Sequence, residues 1–152
     1  MSWLIFKRSE GKIYLMAGKP DDKAVHKVIG KWDAHNRTQS SSNGPWPSRN
    51  EPYPYVRHNL HGEEVTRNKG LAAFYVAEKF GGQGIHLFDV PGRPGMGIHA
   101  GRSYRTNTRT GVNYGELGDV TDGCIRVTPT AMYEISRVHN SGDKLVCIFV
   151  KD

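Results

Sequence analysis

The chain has 152 residues, 37% of them hydrophobic and 24% charged, with a formal net charge of +6. That is the size of one domain able to bury a core, and the composition excludes a disordered chain. No apolar run approaches the roughly 20 residues of a membrane-crossing helix, and the basic residues are scattered rather than clustered, so neither a membrane nor nucleic acid is an expected partner.

The N-terminus, M-S-W-L-I-F-K, reaches charge at Lys7, which is too short for a signal-peptide core, so no secretory leader is expected. W-L-I-F-K and K-I-Y-L-M, joined by R-S-E-G, predict a β-hairpin with Gly11 in its turn. A-V-H-K-V-I-G, residues 24–30, alternates as a third strand. From Lys31 to Pro54 the apolar rhythm is lost in a polar, proline-stiffened loop, of the kind that carries function or moves. G-L-A-A-F-Y-V-A-E-K-F, residues 70–80, fits both periods and is assigned to strand. G-I-H-L-F-D-V and the short M-G-I-H, ending at His99, read as two more strands, and residues 102–120 as irregular. In T-P-T-A-M-Y-E-I-S-R-V-H-N-S-G, Thr128 is the N-cap and Pro129 the first helical residue. Met132, Ile135 and Val138 form the inner face, and Gly142 is the stop. K-L-V-C-I-F-V closes the chain as a fully buried strand. Eighteen glycines and eight prolines fit the same conclusion. The expected fold is mainly β (β-rich α+β), a small barrel or sandwich with one main helix after the cysteine turn, in a single domain spanning residues 1–152.

The chemistry gathers at T-D-G-C-I-R-V-T, residues 121–128. Cys147 lies in an apolar run and reads as a small buried hydrophobe, whereas Cys124 has polar and glycine neighbours and reads as a free thiol. A Cys124–Cys147 bridge is the alternative. Arg126 is a fixed cation close by, and the following helix N-terminus is expected to favour a thiolate. Gly123 permits a tight turn that aims the amides of Gly123 and Cys124 at one point, as an oxyanion requires. Of seven histidines, His99, at a strand end between small residues, is the best general base. His86 reads first as a strand-surface residue and second as a supporting partner behind the site, and His139 as pointing away along the helix. His58-x-x-His61 is half of a zinc spacing with no second half, so no metal is expected.

G-I-H-A-G followed by T-D-G-C-I-R, a helix and an apolar terminal strand resembles the catalytic core of the L,D-transpeptidases, the YkuD family. G-P-W-P-S-R-N-E-P-Y, residues 44–53, resembles that family's glycine- and proline-bearing segment ahead of a strand. The resemblance covers the second half well and the first half loosely. It departs at Asp122, where the family often has His or Arg before Gly-Cys, and in a longer His-to-Cys spacing. A carboxylate at Asp122 would by itself raise the thiol pKa, so a neighbouring cation must offset it.

The resemblance implies that Cys124 is the acyl-accepting nucleophile and His99 its base, with the Ala100 carbonyl orienting the imidazole. Thr121 and Gly123 would support the turn, and Arg126 would hold the loop or a substrate carboxylate. Arg102, Arg105 and Arg109 could bind carboxylates bidentately, although a solvated loop is an equal reading of that insert. The implied substrates are peptidoglycan stem peptides, with no cofactor. With its size, its core motif and no leader expected, the chain looks similar to L,D-transpeptidase-like toxins exported by type VI secretion, for which an immunity protein and secretion machinery would be partners and the periplasm the place of action. Two rivals stand beside this reading. One is a papain-like or NlpC/P60-type wall peptidase, which would need His139. The other is a non-enzymatic glycan- or protein-binding module with Trp3, Trp32 and Trp46 on one face.

Overall fold

The computed structural model describes residues 1–37, 44–60, 82–101, 105–106, 113–114 and 123–152. Its main element is a closed eight-stranded β-barrel. The strands are β1 (Ser2–Lys7), β2 (Lys12–Ala17), β3 (Lys27–His35), β4 (Tyr53–Asn59), β5 (Ile85–Phe88), β6 (Gly97–His99), β9 (Ile125–Val127) and β10 (Leu145–Lys151), in the order β1-β10-β4-β5-β6-β9-β3-β2. A separate ribbon pairs β7 (Arg105–Thr106) with β8 (Asn113–Tyr114), so residues 102–120 are not wholly irregular. One α-helix, α1 (Pro129–Asn140), is present among the described residues. The mainly β fold with a single helix is as expected, and of barrel and sandwich it is the barrel.

The β1–β2 hairpin forms as predicted. Gly11, at φ 63°, takes the left-handed turn and donates its N–H to the Arg8 carbonyl at 3.0 Å. In register, Leu4 faces Leu15 and Phe6 faces Ile13, and all four are buried in the main core. Trp3 opposite Met16 lies on the other side of the sheet, in a second cluster with Cys147. Residues 24–30 are corrected: Lys23–Val25 form a single 3₁₀ turn capped by the Asp22 carboxylate, and the strand begins only at Lys27. It also continues through Lys31–His35, which the sequence assigned to loop, because Trp32 and Ala34 alternate inward between exposed Lys31 and Asp33. The expected strand at residues 70–80 lies outside the described residues.

The helix follows its sequence signals. Thr128 Oγ1 accepts from the Ala131 amide at 3.1 Å, and Pro129 opens the first turn. Met132, Ile135 and Val138 enter the core together with Ala131. Gly142, at φ 110°, ends it. β10 lies between β1 and β4, but it is not buried throughout. Leu145, Ile148 and Val150 enter the core, while Val146 and Phe149 are half-buried on the other face, where the Trp3 cluster covers them.

Two neighbouring pairs run parallel, β1–β10 and β6–β9. The second decides the site. Parallel neighbours cannot be joined by a tight turn, so the long stretch between His99 and Ile125 serves as their crossover.

Candidate active site

Opposed residues of paired strands share a face of the sheet, so the registers sort the side chains. His86 faces Ile98, Ile98 faces Ile125, and Val127 faces Ala34, and these line the inner face toward the helix. Leu87 faces Gly97, and His99 faces Arg126, which in turn faces His35. This second set forms the outer face. Cys124, directly ahead of β9, packs against Ile85 and Leu87 and so belongs to it as well. The structure therefore brings Cys124, His99 and Arg126 onto one surface. His99 ends β6, and Cys124 stands two residues before Arg126, the register partner of His99 on β9.

The row His99–Arg126–His35 crosses three strands spaced about 4.8 Å apart, with the guanidinium-bearing residue between two imidazoles. All three are buried, at 2%, 4% and 7% exposure. The Arg37 amide donates to His35 Nδ1 at 3.4 Å, which leaves the ring proton on Nε2. His35 was only one of seven candidate bases in the sequence. Its place opposite Arg126 depends on the pairing of β3 with β9, which nothing local announces.

Cys124 is itself buried, at 8% exposure, with Sγ 3.8 Å from the Gly95 carbonyl oxygen. Leu87 and Gly95 also line a groove of about 350 Å³ whose walls carry Arg57, Asp89 and Arg93. Cys124 itself does not line that groove; it packs in an apolar cluster with Ile85 and Leu87. One expectation is corrected here. Cys124 does not directly precede the helix, because the three residues of β9 and the cap Thr128 intervene. At about 3.3 Å per strand residue this separation exceeds 10 Å, and the influence of a helix terminus fades within a turn. Any thiolate must be favoured by its neighbours on the sheet, with Arg126 two residues on, in β9.

The backbone at the cysteine is held from within the fold. Asn36 Nδ2 donates to the carbonyls of Gly123 at 2.8 Å and Cys124 at 3.1 Å. Trp46 Nε1 donates to the same Gly123 carbonyl at 2.6 Å, and the Trp46 amide donates to Asn36 Oδ1 at 2.7 Å. Both side chains lie in the stretch read from sequence as a polar loop. G-P-W-P did flag a rigid segment, but Asn36 carried no signal.

Ala100 is buried beside His99. Arg105 lends its backbone to β7, while Thr121, Asp122, Arg102, Arg109 and His61 lie outside the described residues. Both cysteines are free, so the bridge alternative is not formed. Burial pushes the Cys147 thiol up to about 11, in keeping with an apolar role. The three tryptophans share no face: Trp46 is in the main core, Trp3 in the second cluster, and Trp32 half-buried against the main core. Among the described residues no group of three or more metal-ligating side chains is placed to hold an ion.

His86 corrects another expectation. It is fully buried on the inner face rather than on the strand surface. Tyr55 Oη lies 2.8 Å from its Nδ1 and Ser136 Oγ 2.9 Å from its Nε2. His58 stacks on the ring at 4.0 Å and 18°, and His139 meets it edge-on at 5.7 Å. His139 accepts from the Leu145 amide at 3.0 Å and faces this inner cluster, on the other side of the sheet from Cys124.

No protein-family model matches the sequence, and no curated protein matches it. Similarity to solved structures is found. The Bdellovibrio bacteriovorus protein Bd1075 superposes with a TM-score of 0.56 and 9% identity, over 90% of this chain and 43% of that one. A fused Zn-dependent amidase/peptidase/peptidoglycan-binding domain-containing protein from Clostridium acetobutylicum matches with a TM-score of 0.48 and 13% identity, over 98% of this chain and 51% of its own. The chain therefore spans about half the length of the structures it resembles. At such identity the likeness to Bd1075 establishes a common architecture and nothing finer.

Proposed function

We propose that the chain is a cysteine acyltransferase of the L,D-transpeptidase type acting on peptidoglycan stem peptides. One observation supports the reading: in the parallel β6–β9 pair His99 is the register partner of Arg126, two residues past Cys124, so the three fall on one face. The His-then-Cys order of that pairing is the order in the family the sequence resembles.

In this mechanism His99 accepts the thiol proton while Cys124 Sγ bonds to the carbonyl carbon of a stem diamino-acid residue. The tetrahedral oxyanion collapses, the bond to terminal D-alanine breaks, and His99 returns the proton to the departing amine. The thioester then passes to an amine, giving a cross-link or an exchanged D-amino acid, or to water, giving carboxypeptidase activity. Thr121 and Gly123 support the turn. Arg126, and Arg102 and Arg105 on the crossover, are the candidate partners for substrate carboxylates.

Mass spectrometry of purified muropeptides incubated with wild type and Cys124→Ala tests this. The expected result is loss or exchange of terminal D-alanine with wild type only. Cleavage inside the stem would assign a wall peptidase instead. That rival is disfavoured because His139, the histidine it needs, faces the inner cluster. Activity retained by Cys124→Ala would end the cysteine mechanism altogether. The toxin reading has its own measurement: protein directed to the periplasm should poison cells, protein kept in the cytoplasm should not, and Cys124→Ala should be harmless in both.

A further inference from the structure

We infer that Asn36 and Trp46 are positioning residues that aim the backbone N–H of Cys124 at the reacting carbonyl oxygen. The inference rests on the acyl-transfer reading of Cys124 and adds to it two residues that do not touch substrate.

The argument begins with the planar trans peptide, in which the C=O of one residue and the N–H of the next point in opposite directions. The Gly123 carbonyl has two lone pairs, and two buried donors take them: Asn36 Nδ2 at 2.8 Å and Trp46 Nε1 at 2.6 Å. With that oxygen drawn toward the indole, which is fully buried in the main core, the Cys124 N–H on the same peptide plane is turned the other way, away from the indole. Rotating this plane would break both bonds and strand a buried carbonyl, so the N–H direction is set before any substrate arrives.

The clamp is itself fixed. Asn36 Oδ1 accepts the Trp46 amide at 2.7 Å, which determines which end of the carboxamide carries the donors. Its second N–H spans to the Cys124 carbonyl at 3.1 Å, so one side chain holds two successive peptide planes. Trp46 is wedged against Tyr53 and Phe88, with ring centroids at 5.3 and 6.1 Å. Arg8 donates to its carbonyl. Gly123, at φ 123°, occupies a conformation that residues with a side chain rarely adopt, so this peptide plane is reached only with glycine before the cysteine. Preorganised donors of this kind are worth most where oxyanion charge develops.

Two reactions at the same sulfur separate the clamp from a general structural role. Alkylation by iodoacetamide displaces iodide at a saturated carbon and develops no oxyanion. Acylation by p-nitrophenyl acetate forms the S–C bond through a tetrahedral oxyanion, expels p-nitrophenolate and transfers the thiol proton to His99. Both are followed at Cys124 by peptide mass, for wild type, Asn36→Ala and Trp46→Phe, each checked for native circular dichroism. Trp46→Phe removes one donor while keeping an aromatic ring in the core, so it decides the matter if Asn36→Ala does not fold. The expected result is that acylation falls by about tenfold to a hundredfold, within the range for a weakened oxyanion donor, while alkylation changes by less than about twofold. Equal loss of both reactions, or retention of both, overturns the inference. A wild-type protein that alkylates but never acylates removes both the clamp's role and the acyl-transfer reading, whereas normal wild-type acylation with unaffected variants removes the clamp alone.

Discussion

The buried histidine cluster should make the fold lose stability in mild acid, by an amount that can be worked out. His86 is held well below the ordinary imidazole value of 6.5, first because burial penalises the charged ring and then because His58 and His139 would add positive charge beside it. The groups facing it are Tyr55 and His58 from β4 and Ser136 and His139 from α1, with Ile98 opposite on β6. Among the described residues no carboxylate is bonded to it. In the unfolded chain the same ring titrates near 6.5. Below that pH the unfolded state binds a proton that the folded state refuses, so stability falls as pH drops and is fully present above about 7. For one such group, lowering the pH from 7.5 to 5.0 costs at most about 2 kcal/mol, with a limiting slope of about 1.4 kcal/mol per pH unit. His139, lowered by burial and by Lys144 and His58, acts in the same direction. At a urea slope of about 2 kcal/mol per molar, the midpoint should move down by roughly 1 M over this range. His86→Leu will be less stable at every pH, since Tyr55 and Ser136 lose their partner, but its midpoint should vary much less between pH 6.5 and 5.0. A flat wild-type profile, or the same slope in His86→Leu, would refute the reasoning.

Further expectations concern single positions. Gly97→Ala places a Cβ 2.2 Å from the His86 carbonyl oxygen, so β5 and β6 must part. A loss of about 1–3 kcal/mol in urea unfolding is expected, with slower Cys124 alkylation, and an unchanged midpoint would show that the strands yield freely. Gly123→Ala forces a side chain onto φ 123°, at about 1–3 kcal/mol of strain, and should reduce acylation of Cys124 more than its alkylation. Cys147, at 6% exposure and with its thiol pushed up to about 11, should ignore Ellman's reagent at neutral pH. Native Cys124→Ala should therefore release no chromophore until denaturant is added. Thr128→Ala removes the bond to the Ala131 amide and should cost about 1 kcal/mol, read as a lower unfolding midpoint.

What could be read from sequence, and what could not, follows the range of the forces involved. The hairpin around Gly11 and the helix from Thr128 to Gly142 are specified by neighbours a few residues apart, through a turn, a cap, a proline and a 3.6-residue stripe, and each stands where those signals put it. β6 and β9 have only three residues each, too few for a period, which is why the helix was brought too close to Cys124. The row of His99, Arg126 and His35 exists only through strand pairing, and Asn36 reaches a carbonyl 87 residues away. No local pattern encodes either. One local feature did carry long-range information. The glycines around His99 read from sequence only as favouring it as the base, yet Gly97 also leaves no room for a Cβ against the His86 carbonyl. That glycine lets β5 lie tightly on β6. The same close pairing seats His86 in the inner cluster and leaves Leu87 on the outer face, against Cys124. The acid-sensitive cluster and the candidate nucleophile are therefore opposite faces of one strand pair, and an opening of that pair should disturb both.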